Sequence, residues 1–141
     1  MARGDLERAR LPPDPRVLAM LLCEHAHKHE DTGRHSLLGL FDRVVVNSVP
    51  AAQRPFAVFV SLTNLHGSYA LTVQIVRAAD DLEIARVHLQ GRVTRDDPLR
   101  TETQVFHVPG GTTVPSFGVY LVRLLANGRT IHERKYDVVP P

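Results

Sequence analysis

From Val17 onward, apolar and polar residues follow a period of two, which predicts strands and not helices. Val17 to Glu24 is almost continuously apolar, as a strand buried on both faces would be, although LAMLLCE taken alone also fits a helix. The polar turn EDTGR follows, punctuated by Asp31 and Gly33. Next comes SLLGLFDRVVV, in which Gly39 predicts a bulge or a close backbone approach. Asp42-Arg43 interrupts that run and predicts a bend where the strand changes partner.

The middle and end of the chain alternate more cleanly. Phe56, Val58, Val60 and Leu62 alternate with Ala57, Phe59, Ser61 and Thr63. Tyr69, Leu71, Val73 and Ile75 point one way, while Ala70, Thr72 and Gln74 point the other. Ala85, Val87, Leu89, Gly91 and Val93 face in, opposite Arg86, His88, Gln90, Arg92 and Thr94. Thr101 to Val108 is a further β-rich run. Tyr120, Val122, Leu124 and Ala126 lead into Asn127-Gly128, a strong hairpin signal, and Arg129 to Val139 returns. About eight evenly spaced strands with no long amphipathic helix predict an all-β fold, an antiparallel two-sheet sandwich. Residues 1–16 are charged and proline-rich and read as a flexible N-terminal arm; 17–141 read as a single domain.

Composition narrows the class. Apolar residues are 43% of the chain and charged residues 23%, which places it among soluble globular proteins and not disordered ones. The net charge is +2, and the 17 basic residues are scattered with few aromatics between them. That pattern lacks the footprint of a nucleic-acid binder. No apolar run approaches the roughly 18 residues of a membrane helix. The lone Cys23 excludes an internal disulfide and fits a reducing compartment. A short signal peptide ending at Cys23 is set aside. Its apolar core runs only from Val17 to Leu22, three prolines precede it, and Leu22 is large for a cleavage position. The expected localisation is cytoplasmic.

The residues best suited to chemistry are histidines. On an extended strand Cys23, His25, His27 and His29 share one face, and His35 lies just across the turn. Imidazole is a good ligand for zinc and similar ions, so His25, His27 and His35 form a candidate metal site. Same-face neighbours on a strand stand nearly 7 Å apart, so three in a row converge on one ion only through a bulge. The opposing reading is a solvated polar turn beside a buried cysteine. Asp31, His35 and Ser36 contain the residue types of a nucleophilic triad, but neighbours in one turn rarely share a centre and no GxSxG is present. Asp80-Asp81 and Asp96-Asp97 suit calcium or, more simply, turn chemistry. Gly110-Gly111 opens no helix and so cradles no phosphate. No catalytic set emerges.

Cys23, Glu24, Gly33, Ser36, Leu37, Gly39 and Phe41 at the front, with Pro115, Gly118, Tyr120, Leu124 and Gly128 at the back, carry a resemblance. Over about residues 17–139 the chain resembles a family of uncharacterised bacterial proteins, a domain of unknown function. The resemblance implies an immunoglobulin-like β-sandwich and brings no activity. The histidine-rich turn departs from the family pattern. The resulting expectation is a non-enzymatic protein-interaction or scaffold module, binding itself or another protein, with metal binding or sensing as the alternative. With Tyr120, Val122 and Leu124 inward, Val119, Leu121 and Leu125 would face outward as an apolar patch and could seat a homodimer.

Overall fold

A computed structural model describes residues 12–141. Strands and no helix occur among them. In chain order they are β1 (Arg16–Lys28), β2 (His35–Leu40), β3 (Arg43–Val45), β4 (Ala51–Gln53), β5 (Phe56–Thr63) and β6 (Gly67–Tyr69). There follow β7 (Leu71–Arg77), β8 (Glu83–His88), β9 (Val93–Arg95), β10 (Glu102–Val108), β11 (Thr112–Val114), β12 (Gly118–Ala126) and β13 (Arg129–Val139). A four-stranded sheet in the order β10-β5-β1-β2 faces a five-stranded sheet in the order β3-β13-β12-β7-β8. The short pairs β4–β11 and β6–β9 complete the fold.

The core is the product of the period-two pattern. Leu22, Val58, Val60, Leu62 and Phe106 from one sheet meet Leu71, Val73, Ile75, Tyr120, Val122, Leu124 and Tyr136 from the other. Two features make the sandwich immunoglobulin-like. The chain crosses early from one sheet to the other, with β1 antiparallel to β5 in the first and β3 parallel to β13 in the second. Tyr120, early in β12, donates its hydroxyl to the carbonyl of Ser116 at 2.8 Å, the backbone-anchored tyrosine of such folds. The Asn127-Gly128 hairpin has φ of 51° and 81°, the type I′ turn its sequence predicts.

The expected count of about eight strands is exceeded because three-residue strands carry too little alternation to register. The run from Ser36 to Val46 divides at Asp42, with β2 in one sheet and β3 in the other. The run from Ala85 to Thr94 also divides, at Gly91 with φ 78°, and its end pairs with β6. The expected arm is shorter than 1–16. Pro13 accepts a 2.8 Å hydrogen bond from the Tyr69 hydroxyl, and β1 begins at Arg16. Residues 1–11 of that arm lie outside the described residues.

The outward apolar patch needs correction. Val119 is 38% exposed and Leu121 half-buried, but Leu125 is only 9% exposed. The extra residue of the β12–β13 register shift lies on β13, and against β7 Leu125 still stands opposite Thr72, so it keeps its outward place but is covered. The same sheet face is spanned by polar chains: Arg123 to Glu133 and Asp81, Arg86 and Gln74 to Glu83, and Thr72 to His88. On this face Val76, opposite Leu121, is 1% exposed.

One departure from a plain sandwich matters for function. β1 pairs with β5 as far as Cys23–Ala57, yet pairs with β2 on to Lys28–His35. The distal half of β1 and β2 therefore form a two-stranded ribbon beyond the sheet. The His35 ring meets Phe59 edge-on at 5.5 Å, although Phe59 lies opposite Leu21. Seven residues of straight strand separate Leu21 from Lys28, roughly 23 Å. The ribbon thus curls back over the outer face of its own sheet. Cys23 and Ala57, opposite each other on that outer face, are 0% and 2% exposed.

Candidate functional site

The three expected metal ligands do not converge. His25 lies opposite Leu38 and His27 opposite Ser36, whereas His35 lies opposite Lys28. Cross-strand partners share a face, so His35 is on the ribbon face away from His25 and His27. His27 instead meets His29 edge-on at 4.8 Å, and His29 Nε2 lies 2.7 Å from Ser36 Oγ. Among the described residues no group of three His, Cys, Asp or Glu side chains is placed to hold a metal.

The His29–Ser36 contact, which the sequence reading assigned to His35, sits on an exposed ribbon tip. No described carboxylate orients the imidazole, so it lacks the third member of a nucleophilic set. Burial pushes the Cys23 thiol up, leaving it a poor nucleophile. The aspartates do turn chemistry. Asp80 pairs with Arg77 at 2.6 Å, which brings its carboxyl down to about 2, and Asp97 caps Leu99 N. Asp81 pairs with Arg123.

His35 is the histidine with a structural consequence. Its pKa is lowered, first by desolvation and then by the charges of Lys28 and His29. A lowered imidazole pKa means that the unfolded chain takes up the proton first as pH falls. The contribution of His35 is then full above about pH 6.5 and is lost on acidification through the folded value. Hydrogen exchange of the β2 amides should accelerate at pH 5 relative to pH 7.5, after correction for intrinsic rates. In His35→Leu, which keeps the contact with Phe59, that acceleration should vanish. An identical pH response in the variant would show that another group controls the ribbon.

At the base of the ribbon, where the chain crosses from β2 to β3, lies a cleft of roughly 530 Å³. Phe41 and Phe56 line it, their rings edge-on at 5.4 Å, and both also meet the ring of Tyr136. Gln53 lies at its floor, 4% exposed, with Oε1 accepting from the Tyr136 hydroxyl at 3.1 Å. Its amide nitrogen has no side-chain or backbone partner among the described residues. Arg43 and Arg54 border the cleft, exposed and outside every described ion pair. Glu24 forms part of the ribbon wall, packed so closely on Gly39 that a Cβ there would stand 2.8 Å from its side chain. Gln53 and Arg54 carry no sequence signal, since they fall in a short segment between prolines.

The model of a family of unknown function, DUF6941, matches residues 18–139. The chain belongs to that family. Four residues of the DUF6941 resemblance, Cys23, Glu24, Gly39 and Phe41, meet at the ribbon base, and two of them line the cleft. No curated protein matches the chain. Among solved structures, an immunoglobulin-like protein from Pseudomonas aeruginosa is similar at 13% identity and a TM-score of 0.44, covering 90% of this chain and 98% of that one.

Proposed function

We propose that this DUF6941 domain is a non-enzymatic protein-interaction module, acting in the cytoplasm on a second copy of itself or on another protein. The supporting observation is the free edge of β2. This strand ends its sheet, and its sequence HSLLGL holds no charged residue or proline to blunt pairing. Leu38 and Leu40 on it are 62% and 60% exposed. An edge of that kind suits addition of a partner strand, with backbone hydrogen bonds giving affinity and the leucines giving selectivity.

Light scattering after size exclusion, together with co-purification from native cells, tests the proposal. The unmodified chain should appear in a larger species, either its own dimer or a complex. The folded double variant Leu38→Lys with Leu40→Lys should lose that species. A species unaffected by the double variant, or none in either experiment, would overturn the reading.

A further inference from the structure

We infer that the cleft between the ribbon base and β3 binds an extended peptide through an acidic side chain of that peptide. The inference rests on the interaction-module reading and supplies it with a second, chemically selective site. Asp137 N donates to Asp42 O at 2.9 Å, and Val46 N donates to Val139 O at 3.1 Å. In a parallel pair these alternate residues face β13, so the backbone groups of Arg43 and Val45 face the other way, along the cleft. β3 is the end strand of its sheet, so this edge is open among the described residues. A peptide laid along it finds backbone partners at Arg43 and Val45.

Charge and shape then select its side chains. Arg43 and Arg54 border the cleft without ion-pair partners among the described residues, and the guanidinium fork matches a carboxylate. Gln53 adds a polar group to the cleft floor: its oxygen is committed to the Tyr136 hydroxyl, which leaves its amide nitrogen as the donor it can offer a carboxylate oxygen. Phe41 and Phe56 offer an aromatic wall to the next apolar side chain. Glu24 on the opposite wall disfavours a second negative charge there and confines the acidic side chain to the arginine side.

The probe is a labelled peptide, acetyl-Val-Glu-Val-Phe-Val-amide, in which Glu and Phe share one face, titrated against the full chain by fluorescence anisotropy and by amide chemical shifts. Expected is saturable binding that weakens about tenfold or more when the Glu is Gln, as loss of charge-assisted hydrogen bonds requires. Shifts should fall on the amides of Arg43 and Val45 and on the Gln53 side chain. In Arg43→Gln with Arg54→Gln, whose exposed positions leave the core untouched, the two peptides should bind equally. Equal binding of both peptides to the unmodified chain would overturn the inference. So would no binding, or phenylpropionate binding as tightly as the peptide, which would make this a small-molecule site. Shifts confined to β2 would overturn the cleft while leaving the interaction module standing. The loss of the larger species in the leucine double variant reports on that module separately.

Discussion

Tyr136→Ala is expected to destabilise the protein by about 3–5 kcal/mol, the range for deleting a buried aromatic ring. Tyr136 is 0% exposed and stacks on Tyr120 at 5.7 Å, with Phe41 and Phe56 meeting it edge-on. No neighbouring side chain can collapse into the space without abandoning those contacts. Tyr136→Phe separates packing from hydrogen bonding. It keeps the ring but leaves the Gln53 oxygen unpaired in a site 4% exposed, which costs about 1–3 kcal/mol. Urea denaturation followed by backbone circular dichroism measures both. The same pair has an alkaline signature. Burial raises the Tyr136 pKa, so the folded phenol keeps its proton where the unfolded one, near pH 10, loses it. Its contribution is complete below that pH and is lost as pH rises further, and Tyr136→Phe should show a shallower alkaline decline. Stability in Tyr136→Ala within 1 kcal/mol of the unmodified protein, at about the noise of such extrapolations, would contradict the packing described.

Gly39→Val should lower stability by about 2–4 kcal/mol, combining left-handed strain with overpacking. Gly39 has φ of 70°, and an added Cβ would stand 2.8 Å from both Cγ and Cδ of Glu24. Adding Glu24→Ala to the same chain removes those two carbons and should recover part of the loss. The share due to backbone strain would remain. If the ribbon detaches locally, the amides of β2 will exchange quickly while those of β5 and β12 stay protected. Unchanged exchange and an unchanged denaturation midpoint would show that the ribbon base tolerates a side chain.

The parts of the fold legible in the sequence are those where one strand alternates against one core. Phe56 to Thr63, Leu71 to Arg77 and the Asn127-Gly128 hairpin are such places, and Asp42-Arg43 correctly marked a change of partner. At Gly39, where the sequence predicts a bulge or a close backbone approach, the close neighbour is the Glu24 side chain. The ribbon curl was not legible, because it depends on where β5 stops pairing with β1, a property of a distant segment. His35 therefore looked like a ligand in line with its neighbours and instead packs on Phe59. Leu125 does stand on the outer face, opposite Thr72, but its low exposure depends on neighbouring strands and leaves no mark in its own apolar pattern. The cleft was invisible for a related reason. Gln53, Arg43 and Phe41 come together only when the chain crosses between sheets, and Gln53 acquires its meaning from Tyr136, far along the sequence.

The placement of the tyrosines gives the protein an uneven set of optical reporters. The chain has three tyrosines and no tryptophan, and Tyr69, Tyr120 and Tyr136 are each at most 1% exposed in the central core. None lies on the ribbon. Intrinsic ultraviolet fluorescence therefore reports the sandwich alone, and lifting of the ribbon from Phe59 leaves that emission unchanged.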